Sequence, residues 1–113
     1  MHEVSLCQRI IEIVTEQVAT YTSARIIQID IEIGQLLAVD KAALLFGFEV
    51  VARGTVAENA RLNIHEVAGL ARCNSCHETV TLKQYYEGCS ACGEFSLTIL
   101  QGEALYVQSM EVQ

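Results

Sequence analysis

The sequence predicts an α+β fold, with two helices packed on a three-stranded sheet and a zinc-ribbon module inserted before the last strand. Three observations carry that reading. Apolar residues recur at steps of three and four near the start and again around residue 45. Three other stretches read as strands, the first of them strictly alternating. Between the second and third of these lie two C-x-x-C pairs, Cys73/Cys76 and Cys89/Cys92, in a stretch of different character that runs from Gly69 to about Gln101.

The first helix is expected from about Glu3 to Ala19, because Cys7, Ile10, Ile11, Val14 and Val18 fall on one face. Ser5 and Gln8 suit a capping box, which leaves the start open by a turn. "RIIQIDIEIG" then turns Ile27, Ile29, Ile31 and Ile33 one way and Gln28, Asp30 and Glu32 the other, as in a half-buried strand. Asp40 reads as the N-cap of a second helix carrying Leu44, Leu45, Phe48 and Val51, with Gly54 near its stop. "ARLNIHEV" gives the second strand, with Leu62 and Ile64 inward and Asn63 and His65 outward. In "EALYVQSMEV", Leu105 and Val107 share one phase and Tyr106, Met110 and Val112 the other. That conflict points to a bulge near Ser109 or to burial on both faces. The resulting domains are 1–69 plus 101–113 for the α/β part and 70–100 for the ribbon.

Composition narrows the function. The chain has 113 residues, 51% of them apolar, so it is long enough for a core that Ile, Leu and Val must fill. Its formal charge is −7; four thiolates (−4) around one Zn²⁺ (+2) would take it to −9. Such a chain repels phosphate backbones and anionic membranes, which leaves cations and proteins as partners. The first ten residues show no basic n-region, and no apolar h-region follows. The longest apolar run, Ala42–Phe48, is too short to span a bilayer. The expected location is cytoplasmic, where thiols stay reduced and five cysteines argue for metal or catalysis over disulfides.

The ribbon carries the strongest motif. Twelve residues separate the two C-x-x-C knuckles, and each tight turn presents two sulfurs from one side, as tetrahedral Zn²⁺ requires. Only Val80, Leu82, Tyr85 and Tyr86 offer substantial apolar surface there. Structural zinc, worth on the order of 10–16 kcal/mol, would supply what that small core lacks. Dithiol redox chemistry is the main competitor. "CNSCH" also matches the c-type haem pattern, but haem attachment would normally require export and would leave the second knuckle unexplained. His77 is then a solvated neighbour of the knuckle or a donor to a ligand sulfur. Cys7 reads as a small core residue, His65 as a surface histidine, and Asp30, Glu58 and Glu66 as solvated carboxylates. No nucleophile elbow and no phosphate-binding loop is present, so no catalytic centre is expected.

A zinc site closed by four cysteines has no open position for chemistry, which moves attention to the opening "MHE". His is too bulky a second residue for ready removal of Met1. The Met1 amine, the His2 amide nitrogen and the His2 imidazole Nδ1 could then close a five- and a six-membered chelate ring. That near-planar nitrogen set suits Ni²⁺ or Cu²⁺ better than Zn²⁺, with Glu3, water or a partner's group in the fourth place.

"MHEVSLC", "EIGQLLAVD", "LLFGFEVVARGTVAENARLNI", the paired knuckles and the closing "GEALYVQSMEV" resemble the HypA/HybF hydrogenase maturation factors over essentially the whole chain. The resemblance implies a nickel metallochaperone that works with a nickel-handling GTPase to load the large-subunit precursor of [NiFe]-hydrogenase. It implies Ni(II) as transferred cargo on His2, with Met1 and Glu3 in support, and structural Zn(II) on Cys73, Cys76, Cys89 and Cys92. The acidic charge argues against a nucleic-acid or membrane partner, and the expected state is a monomer or weak homodimer. Ser90, Ala68 and Gly69 stand where the family often has proline, which loosens the second knuckle and the entry to the ribbon but removes no ligand. The competing reading is an acidic zinc-ribbon adaptor that binds another protein and never handles nickel.

Overall fold

The computed structural model describes residues 2–19 and 24–113. In order, the chain forms α1 (Glu3–Val18), β1 (Ile26–Gly34), a 3₁₀ turn (Gln35–Leu37), α2 (Lys41–Val51), β2 (Arg61–Val67), β3 (Gly69–Cys73), β4 (Thr79–Leu82), β5 (Leu97–Gln101) and β6 (Leu105–Val112). These elements build two helices and two three-stranded sheets, ordered β2-β1-β6 and β4-β3-β5. The expected α+β class, with its ribbon module, is what forms. The chain divides into two compact units. The first runs to Ile31 and adds Val39–His65 and Tyr106–Gln113; the second comprises Glu32–Ala38 and Glu66–Leu105.

In the first unit, α1 packs against α2. The buried stripe of α1 is Leu6, Cys7, Ile10, Val14 and Val18, and that of α2 is Leu44 and Phe48. The start of α1 differs from the capping-box expectation. Leu6 donates its amide to the His2 carbonyl at 3.1 Å, so His2 is the N-cap and Ser5 lies inside the first turn. Starting the helix there brings Leu6 into the core, a gain that outweighs the missing side-chain cap. Asp40 does cap α2, accepting the Ala43 amide at 3.2 Å. Leu45, expected inside, is 46% exposed, because the α2 stripe runs instead through Leu44, Phe48 and Ala52.

Burial along β1 follows the predicted alternation from Ile29 to Ile33 but fails at its beginning. Ile27 is 42% exposed and Ile26 is buried, with the Ile26 amide bonded to the Val56 carbonyl at 2.9 Å. The Val56 carbonyl therefore borders the start of the strand on its hydrogen-bonding edge. In β6, the Ser109 hydroxyl reaches Asp30 on the outward side of β1, while Val107 and Met110 are half-buried. Val107 and Ser109, two residues apart, thus face opposite ways. The alternation breaks between them, as a bulge requires. Burial on both faces is overturned, since Tyr106 is 63% exposed.

In the second unit, β3 pairs antiparallel with β4, from Gly69↔Leu82 to Arg72↔Thr79, and with β5, where Cys73 faces Leu97. Leu36 on the 3₁₀ turn packs with Ala71 and Leu82, and Leu97 and Ile99 close over them. A second cluster joins Cys73, Val80 and Cys89, flanked by Cys76 and Leu97. Tyr85 and Tyr86, expected to help fill this core, lie exposed. Glycine is required at one crossing. A Cβ on Gly34 would overlap the Gly102 carbonyl, and Gly102 itself (φ 98°) lies against the Gly69 backbone.

Candidate metal centre

Two tight turns with the same backbone pattern shape the ribbon site. In the first, the Cys73 amide donates to Glu78 O at 2.9 Å and the His77 amide to Cys73 O at 2.9 Å. In the second, the Cys89 amide donates to Glu94 O at 2.7 Å and the Gly93 amide to Cys89 O at 2.7 Å. His77 and Gly93 hold equivalent positions, both left-handed, at φ 65° and 84°. Backbone amides also approach the sulfurs: Cys76 N–H donates to Cys73 Sγ at 3.5 Å and Ala91 N–H to Cys89 Sγ at 3.4 Å.

The four sulfurs lie within 4.8 Å of one another. Cys73 and Cys92 are separated by 3.6 Å, and Cys76 and Cys89 by 3.7 Å. With Zn–S bonds of about 2.3 Å, ideal tetrahedral geometry sets S···S at about 3.8 Å, so the donor set and its spacing fit Zn²⁺. The electrostatics point the same way. The Cys76 backbone amide, more than any other group, draws the Cys73 thiol down to about 6. For Cys92 the Glu94 amide favours the thiolate, but partial desolvation of the sulfur by its neighbours and the three other sulfurs outweigh it and push the thiol up to about 12, although the residue lies at the surface. One negative charge settles easily in this cluster and the last does not. A cation removes that conflict by drawing the protons off all four.

At the start of α1, His2 is exposed and in extended conformation (φ −69°, ψ 144°), and its side chain makes no capping bond. Glu3 follows in the first turn. The N-cap amide has no acceptor within a helix, so deprotonating the His2 nitrogen costs α1 nothing. Met1 lies outside the described residues. Cys7 stays apart from the metal question: its buried thiol donates to Leu44 O at 3.3 Å, and burial raises its pKa.

Asp30 is not the ordinary solvated carboxylate that its place on the outward face of β1 suggests. Gln28 Nε2 (3.3 Å) and Ser109 Oγ (3.2 Å) donate to one oxygen; Asn63 Nδ2 (3.1 Å) and His65 Nε2 (3.3 Å) contact the other. Together these bonds, the Asn63 amide foremost, hold Asp30 below the usual carboxylate range. Alternation does place Asn63, His65 and Asp30 on the outward face, but strand order alone could not show that they meet.

Fold and cysteine cluster together define a small α+β protein with a ribbon-type metal centre. Relatives agree along the whole chain. A family model described as hydrogenase/urease nickel incorporation, metallochaperone, HypA matches residues 1–112. The chain is 50% identical over 113 residues to hydrogenase maturation factor HypA of Legionella pneumophila (strain Lens), covering 100% of both. To the protein of that name from Azotobacter chroococcum it is 41% identical over 113 residues, again covering 100% of both. The solution structure of the Ni metallochaperone HypA from Helicobacter pylori superposes with a TM-score of 0.72 at 25% identity, covering 98% of this chain and 97% of that one. The chain belongs to the HypA family of nickel metallochaperones for hydrogenase maturation. Among the described residues, no helix is long and apolar enough to cross a membrane.

Proposed function

We propose that this protein binds Ni(II) at its N-terminus and, with a partner GTPase, passes it to the large-subunit precursor of a [NiFe]-hydrogenase in the cytoplasm. The observation that carries this reading is His2 at the N-cap of α1, exposed and without a capping role. Its imidazole and its amide nitrogen are both available, and the Met1 amine would complete a three-nitrogen chelate for a planar d⁸ ion. The positive end of the α1 dipole opposes a cation there. The deprotonated amide and the Glu3 carboxylate offset it, and the chain's net charge of −7 raises the local cation concentration. Structural Zn(II) on Cys73, Cys76, Cys89 and Cys92 holds the ribbon, residues 70–100, while the remainder handles nickel. The protein is not an enzyme in this scheme; nucleotide hydrolysis belongs to the partner.

Calorimetric nickel titration of three untagged proteins tests this: native start, a short extension ahead of Met1, and His2→Ala. The native start should bind tightest and show the absorption band of planar Ni²⁺. The extension converts the amine to an amide and should weaken binding, and His2→Ala should weaken it at least as much. Equal affinity in all three would remove the N-terminal site and favour the adaptor reading.

A further inference from the structure

Each close sulfur pair in the ribbon takes one member from each knuckle: Cys73 with Cys92, and Cys76 with Cys89. Burial grades the four. Cys73 and Cys89 are buried, Cys76 is half-buried, and Cys92 is exposed. The cluster is therefore open at one corner, and an oxidant from solvent meets Cys92 first. The Cys73 sulfur waits 3.6 Å behind it. Within the knuckles, by contrast, Cys73 Sγ is engaged by the Cys76 amide and Cys89 Sγ by the Ala91 amide.

We propose that the ribbon is a peroxide-sensitive clasp, in which oxidation at Cys92 ends in a Cys73–Cys92 disulfide and opens the metal site. The proposal rests on the zinc reading above. The oxidant is a hydroperoxide. Cys92 thiolate attacks its O–O bond, so that an S–O bond forms and an alkoxide or hydroxide leaves to take up a proton. Cys73 thiolate then attacks the Cys92 sulfur, so that the S–S bond forms and the S–O bond breaks with departure of hydroxide. Two thiolates have lost two electrons and the peroxide has gained them. Cys76 and Cys89 alone remain as ligands, too few for a structural site of this type, so the cluster releases its cation.

The sequence supplies its own assay. Trypsin cleaves after Arg72 and Lys83, and no Lys or Arg follows Lys83. Cys73 and Cys76 therefore leave on one peptide, residues 73–83, and Cys89 and Cys92 on another, residues 84–113. Full-length, zinc-loaded protein is treated with hydrogen peroxide, its free thiols are alkylated, and it is digested without reductant. A chromogenic chelator follows the zinc in parallel. The expected result is one zinc released per two thiols lost, with peptides 73–83 and 84–113 joined and the alkyl label on Cys76 and Cys89; the label on Cys73 and Cys92 instead would overturn the proposal. Dithiothreitol with added zinc should reverse both changes. Separate peptides that each carry an internal disulfide would overturn the proposal, as would zinc release with all ribbon thiols still alkylated. Thiols that stay reduced under a hundredfold excess of peroxide would do so too. Protein carrying no zinc before peroxide is added overturns both readings, whereas zinc-loaded protein giving unlinked peptides overturns this one alone.

Discussion

Replacing His77 by glycine should tighten zinc binding. His77 occupies the left-handed turn position that Gly93 fills in the other knuckle, with φ of 65° against 84°. A residue with a Cβ is disfavoured there by about 1–2 kcal/mol, and histidine falls toward the lower end because it visits this region more readily than most. Glycine removes that strain but adds freedom to the unfolded chain, an opposing effect of roughly 0.5–1 kcal/mol. The balance favours glycine by about 0.5 kcal/mol, or roughly a twofold gain in affinity. Gly93→Ala runs the experiment in reverse. Nothing lies within 4 Å of a Cβ built there, so its effect isolates the backbone. Strain and the reversed entropy term leave a net loss of about 0.5–1 kcal/mol, or a two- to fivefold weakening. Competition with a chromogenic chelator at fixed pH measures both. If His77→Gly weakens zinc binding instead, the imidazole takes part in the site and the backbone reasoning fails.

Acid titration should reveal Asp30. Its folded pKa lies below the unfolded value near ~3.9, so its stabilising effect is complete above that value and is lost as pH falls through the lower, folded one. Asp30→Asn should flatten the acid limb of the stability profile and leave neutral-pH zinc content alone; an unchanged acid limb would rule out Asp30 as its source. Cys7→Ser should also keep its zinc, because Cys7 donates to Leu44 O in the helical core, and a loss of about 1–2 kcal/mol in denaturant stability is expected from burying the hydroxyl. Metal analysis showing zinc loss in folded Cys7→Ser would break the separation between core thiol and ribbon thiols.

The four ribbon cysteines were legible because a C-x-x-C knuckle is a local motif whose spacing reports its own turn. The body of α1 and the alternation from Ile29 to Ile33 were legible for a similar reason: a long periodic segment states its buried face. What failed was decided by distant chain. At the start of β1, Ile26 is buried and Ile27 exposed, and the Ile26 amide pairs with the distant Val56 carbonyl, which nothing near Ile26 announces. Strands β3 to β5 went unseen because five, four and five residues are too few to show a period. His77 shapes the knuckle through its backbone, whereas the sequence displays only its imidazole. The Asp30 cluster needed three strands in register before its donors could meet.

The interleaving of the two units decides which of them a shortened chain could still complete. The ribbon unit has its last strand by Gln101 and its final residues by Leu105. Asp30, by contrast, must wait for Ser109, 79 residues downstream, before its ring of donors closes. Leu36 likewise stays uncovered until Ala71 and Leu82 are made. A chain cut just past Leu105 would thus keep every strand of the β4-β3-β5 sheet and all four ribbon cysteines, yet lose β6, an edge of the β2-β1-β6 sheet, and with it the Ser109 donor to Asp30.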